Sequence, residues 1–283
     1  MNTPHPYRRI ALFLLGLAVV FAASAAVGAA FEPAGTGSDE QMEGHESAEH
    51  EPAGLGVAAG DYSLRMRPSQ LRLGQERELS FAIEDDDGAP VTEFDELHER
   101  RMHLIVVRRD GTGFQHLHPE MDAEGTWTVP VELDSSGVYR AFADFSVAGE
   151  QRTLATDLFV SGGGFEARPF PAPRPLARTD GCEVRFDAGE PIAGAPAHLD
   201  FTVSRDGRPV AALAPYLGAK GHLVALREGD LAFLHVHPEE DHEMAPAEIE
   251  FAATFPTPGR YRLYLQFRHG GAVRTAEFTV VAR

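Results

Sequence analysis

Six histidines stand in two sets of three, His103, His116 and His118, then His222, His235 and His237, with identical spacing in each set. Neutral imidazole is the commonest metal ligand among side chains, and three of them suit Cu(II) or Zn(II). Met102 and Met121 flank the first set, and a thioether adds affinity for Cu(I). The second set has Gly221 and Glu240 in those places, with Asp241, His242 and Met244 just beyond. The first set therefore reads as the softer site and the second as the harder one, with Met102, Met121 and His242 as auxiliary ligands. A structural reading competes. Ile105, Val107 and Phe114 share a strand face with the first set and look like core, and a histidine at a core edge often only satisfies a carbonyl.

What must position these side chains is a pair of hairpins. Asp110-Gly111 lies between two apolar runs, a strong hairpin signal. With those two residues at the centre of the turn, His103 opposes His118, and directly opposed Cβ atoms stand ~4.5–5.5 Å apart. His116 lies two residues from His118, on the same face. The same count around Gly229-Asp230 brings His222, His235 and His237 together. The expectation is one three-histidine site per hairpin.

The hairpins belong to a longer internal repeat. MHLIVVRRDGTGFQHLHPEM, from Met102 to Met121, aligns without a gap on GHLVALREGDLAFLHVHPEE, from Gly221 to Glu240. Asp87-Gly88-Ala89-Pro90-Val91 matches Asp206-Gly207-Arg208-Pro209-Val210, and SSGVYRAFADF ending at Phe145 matches PTPGRYRLYLQF ending at Phe267. Self-similarity of this kind marks two copies of one domain, here 57–162 and 178–283, joined by a Pro-rich linker at 163–177. Short alternating segments recur, and no stretch of ten or more residues keeps a helical period. The expected fold is all-β: two tandem immunoglobulin-like or cupredoxin-like antiparallel β-sandwiches after an N-terminal hydrophobic helix. A stiff, Pro-rich spacer implies few contacts between the copies and independent folding. Cys182 is the one cysteine, which excludes an intrachain disulfide and reads as a half-buried strand residue.

Residues 1–31 form an anchor or signal segment. Ile10 to Ala30 carry no charge and follow Arg8 and Arg9. A helix of that length reaches ~30 Å, the thickness of a bilayer core, and the arginines hold its start on the cytoplasmic side. Ala23-Ser24-Ala25 and Gly28-Ala29-Ala30 resemble cleavage sites, so the body is either membrane-anchored or secreted. Residues 32–56 read as a disordered acidic stalk bearing Met42, His45 and His50. The net charge of −18 repels phosphate backbones and argues against nucleic acid. The expected partners are the membrane, a metal ion, and a membrane or exported protein.

The motifs HLIVVRRDGTGFQHLHPEM and YLGAKGHLVALREGDLAFLHVHPEE resemble those of a family of exported, mainly actinobacterial, two-repeat proteins whose common label is heavy-metal binding. The architecture is similar to YtkA-like, FixH-like and copper-resistance C-type sandwiches. The resemblance implies an extracytoplasmic location and a heavy metal; the ligand types make copper the expected ion, with zinc possible. This stalk has fewer histidines than the family pattern. The leading expectation is a non-enzymatic metal-binding protein for trafficking or buffering. A cupin-like metalloenzyme ranks lower, because Gly229 and His235-Val236-His237 imitate only the first half of the cupin motif. A hydrolase lacks G-x-S-x-G, and neither cleavage site exposes the N-terminal histidine of a copper monooxygenase. The other rival is a non-metal interaction module of tandem β-sandwiches at the membrane surface, with structural histidines.

Overall fold

Alternation along the strands sorts side chains between two faces, and each repeat uses this to close a sandwich. The structure is a computed structural model, and it describes residues 53–74, 77–234, 236–239 and 245–283. The hydrophobic segment, the stalk up to residue 52 with Met42, His45 and His50, and His235 and His242 all lie outside those residues. Among the described residues no helix is long and apolar enough to cross a membrane.

In the first repeat one sheet runs in the order Ala58–Ala59, Tyr62–Arg67, Arg77–Glu84, Trp127–Val131, Glu120–Met121. The other runs Gln70–Arg72, Glu150–Ser161, Gly137–Val147, His103–Arg108, Gln115–Leu117. In the second repeat the first sheet is Leu176–Thr179, Cys182–Asp187, Pro196–Arg205, Glu248–Thr254, His237–Pro238, with Arg208–Pro209 paired to Pro196–Arg205. Its second sheet is Phe233–Leu234, Gly221–Arg227, Gly259–His269, Ala272–Ala282. Pairing is antiparallel throughout, apart from Gln70–Arg72 against Glu150–Ser161. The all-β fold of two repeated antiparallel domains is thus as expected. Cys182 is fully buried in the second core rather than half-buried.

Each repeat has its own core. Leu79, Leu104, Val106, Trp127 and Phe145 pack inside the first, and Leu199, Phe201, Ile249, Leu263 and Phe267 inside the second. A third core lies between the repeats and joins Ile105, Val107, Phe142 and Ala155 to Val224, Leu226, Leu231, Phe233 and Tyr264. This explains why all six residues of His103–Arg108 are buried: Leu104 and Val106 face their own repeat, and Ile105 and Val107 face the other one. Burying such side chains contributes roughly 1.5–3 kcal/mol each. Polar contacts close the same seam. Tyr264 donates its hydroxyl to the Gly111 carbonyl at 2.8 Å, and its ring stacks on Phe114 at 4.0 Å. The expectation of few contacts between the copies is therefore not met. The outward faces of these strands are apolar, and docking the repeats removes them from water.

The last residues before the first repeat also enter the seam. Gly54 donates to the Thr153 carbonyl, Phe233 donates to the Ala53 carbonyl, and Ala155 donates to the Gly56 carbonyl. Gly54 has φ 70°, and a Cβ there would stand 2.7 Å from Phe142 and 3.1 Å from Phe233, so only glycine fits. Composition assigned 53–56 to the stalk. These residues are ordered because the seam gives their backbone groups partners.

Candidate metal centre

The first hairpin delivers its histidines through the ladder counted from Asp110-Gly111. Leu104 pairs with Leu117, Ile105 with His116, and Val106 with Gln115. One further step sets His103 against His118, and their ring centroids are 5.2 Å apart. His103, His116 and His118 each offer a ring nitrogen, and these atoms lie within 4.8 Å of one another. The face that carries them is the seam face, so the cluster sits where the two repeats meet.

The partners of the outer ring nitrogens constrain the tautomers. His103 Nε2 lies 2.8 Å from the Leu97 carbonyl, which can only accept, so Nε2 carries the proton. His116 Nδ1 lies 2.6 Å from the Gln266 side-chain oxygen; with that oxygen facing the ring Nδ1 carries the proton, and with the amide turned over Nδ1 accepts from the amide nitrogen instead. His103 Nδ1 and His116 Nε2 face each other at 2.9 Å: in the first amide orientation both are bare, and in the second His116 Nε2 donates to His103 Nδ1. In the first orientation the two neutral rings repel through their lone pairs, and a cation between them removes the repulsion. Nitrogens bound to one four-coordinate zinc stand roughly 3.3 Å apart, close to the observed contact. His118 Nε2 is buried with no hydrogen-bond partner among the described residues, a costly arrangement for a polar atom that nothing uses.

Burial holds all these rings in the neutral form that a metal requires. Desolvation lowers His103, against the Leu97 hydrogen bond and the Asp144 charge. It pushes His116 well down, assisted by His222, His103 and His118. It takes His118 to about 4 and His222 to about 3. Asp144, the ladder partner of His103, is itself buried and accepts from Thr153 Oγ1 at 2.8 Å. Its negative charge favours a cation in the cluster.

His222 lies against the first cluster. Its ring lies 4.8 Å from His116 and 5.7 Å from His103, nearly parallel to the latter. His222 reaches the first cluster because Gly221–Arg227 turns the same face to the seam as His103–Arg108 does. The backbone of His237 pairs with Ala252 in the opposite sheet of its repeat. The side chain of His237, like the whole of His235, lies outside the described residues. Met102 and Met121 are not beside the cluster. Met102 alternates to the opposite face from His103 and is buried in the first core, and Met121 packs against that core.

Two participants escape the spacing pattern. His98 sits 5.5 Å from His222 and 6.2 Å from His103, ring to ring. It occupies a two-residue turn closed by Leu97 and Arg100, with φ 50° at His98 and 62° at Glu99, as a primed hairpin turn demands. The second repeat makes the same turn with Leu217 and Gly218, so no repeated histidine draws attention to His98. A bulky residue held at positive φ is the signal that could have found it. Gln266 is the other, a neutral residue in an apolar strand whose role depends on the neighbouring repeat.

The model of a protein family described as Domain of unknown function (DUF8832) matches residues 57–162 and again 177–283. The chain belongs to this family. Both matches coincide closely with the two repeats. A search of curated proteins found no match. Among solved structures, Salmonella alpha-2-macroglobulin reacted with methylamine is 15% identical at a TM-score of 0.29, over 83% of this chain and 15% of that one. The Escherichia coli adhesin FdeC is 12% identical at 0.28, over 80% and 65%. The D0-D1 domain of intimin is 11% identical at 0.23, over 77% and 96%. The chain thus spans less than two thirds of the length of the first two, and no site residue is carried over from any of them.

Proposed function

We propose that this protein binds a transition-metal ion through His103, His116 and His118, as an extracytoplasmic protein that buffers or passes on the metal. One observation carries the reading: His103, His116 and His118 bring a ring nitrogen each within 4.8 Å of one another, with His103 Nδ1 and His116 Nε2 face to face at 2.9 Å and His118 Nε2 buried without a hydrogen-bond partner among the described residues. An all-imidazole set suits Cu(II) or Zn(II). Met102 lies in the first core and Met121 packs against it, so the proposed ligand set counts neither thioether. The uncharged run from Ile10 to Ala30 would hold the body at the outer face of a membrane.

The interaction-module reading has one observation in its favour. His103 and His116 already hold Leu97 and Gln266, which is what structural histidines at a seam would do. Thermal unfolding of the full chain in detergent separates the two. At a metal concentration a hundred times its dissociation constant, binding stabilises by about 2.7 kcal/mol. Zn(II) or Cu(II) should then raise the melting temperature by on the order of 5–10 °C, reversibly with a chelator. A melting curve unmoved by either ion would favour the interaction module.

A further inference from the structure

We propose that the two repeats build one metal site between them, with Gln266 of the second repeat as the residue that positions His116 of the first. The inference rests on the metal-binding reading above and says how that site is assembled. His116 cannot orient itself. Its hairpin strand is short, Gln115–Leu117, and it pairs only along one edge of its sheet. Gln266 Oε1 stands 2.6 Å from His116 Nδ1 across the seam, and in that orientation it accepts the Nδ1 proton and leaves Nε2 free to face the cluster.

Gln266 is well placed for this task. It is buried and is the ladder partner of His222, so the ring and the amide leave the second repeat side by side. Both meet His116: the amide by its hydrogen bond, the His222 ring at a centroid distance of 4.8 Å. In the repeat alignment Gln266 occupies the place of Asp144, which lies in the corresponding ADF segment of the first copy. The copies have therefore diverged at a matched position. The first supplies a buried carboxylate and the second a neutral acceptor.

The difference has a chemical consequence. Outer hydrogen-bond partners of metal-bound histidines fix the tautomer and raise the basicity of the ligand. An amide oxygen does the first fully and the second only weakly, whereas a carboxylate does both. Gln266 thus gives an oriented but moderately basic His116, and an ion held this way leaves more readily than one held by a carboxylate-backed histidine. That suits a protein that hands its metal on. It also makes occupancy depend on docking of the repeats, since separation removes both Gln266 and His222 from the cluster.

The test uses the full chain in detergent, with Zn(II) affinity measured by competition against a chromophoric chelator and site geometry read from Co(II) absorption. Wild type should bind one ion per chain in this cluster. Gln266→Leu removes the acceptor and should weaken binding by roughly 10–100-fold, the usual effect of losing such a partner, with an altered Co(II) spectrum. Gln266→Asn keeps the amide but falls short of His116, and should show the same loss should the leucine variant fold poorly. Gln266→Glu should retain or tighten binding. Wild-type affinity in both the Leu and Asn variants, or two equal ions per chain in the wild type, would overturn the shared site and leave the metal function standing. No binding by the wild type would overturn that function and this inference together.

Discussion

Replacing His116 and His118 together by alanine should abolish metal binding at the cluster between the repeats. Spacing alone assigned a separate site to each repeat and implied that one would survive. The structure sets His222 against His116 and His103 at the seam, so the double substitution removes two of the three converging ligands of a shared cluster. Structural zinc sites are worth about 10–16 kcal/mol over four ligands. Losing two ligands should therefore cost on the order of a thousandfold in affinity or more. The variant should also melt at a lower temperature without metal, because the Gln266 oxygen loses its donor in a buried place. Titration with Zn(II) checks this, and a variant that keeps wild-type affinity would show that the ion binds elsewhere.

The second large effect is on acid stability. Folded His118 and His222 titrate near 4 and 3, both because burial disfavours the charged ring, while the unfolded groups titrate near ~6.5. Between those limits the unfolded chain binds more protons, so stability rises with pH across the window. Their contribution is fully present above about 6.5 and is lost as pH falls towards 4 and then 3. Every tenfold difference in proton affinity between the folded and unfolded ring is worth ~1.36 kcal/mol, which makes the loss on the order of a few kcal/mol by pH 4. Urea unfolding of the metal-free protein at pH 7, 6, 5 and 4 should show it, with a shallower slope in His118→Ala. The same burial moves proton competition for the metal downward. Binding should persist at pH 6, where exposed histidines already lose much of their affinity, and fail nearer pH 4. A metal-free protein equally stable from pH 7 to pH 4 would contradict the neutral, buried state of these rings.

Much of the fold was legible because its signals are local. The matched motifs at 102–121 and 221–240 marked the repeat, Asp110-Gly111 set the hairpin register, and that register is the one observed. What sequence could not show is which of two faces each core belongs to. HLIVVRR is apolar on both faces, and one of those faces turns out to be shared with the other repeat. From that one unseen contact the remaining differences follow. His222 lies against the first cluster, Met102 alternates away into the core, and Gln266 acquires a partner 150 positions distant in sequence. His98 escaped because it has no counterpart in the second copy, where Leu217 stands.

Convergence of three imidazoles on one ion is tested most directly by X-ray absorption at the edge of bound zinc or copper. The expected spectrum, from full chain carrying one equivalent of metal, has a nitrogen shell near ~2.0 Å with the outer scattering of at least three imidazoles and no sulfur shell. Loss of that imidazole scattering in the His116→Ala, His118→Ala double variant would complete the assignment. A shell of oxygen alone, or a sulfur shell from a methionine or Cys182, would contradict it.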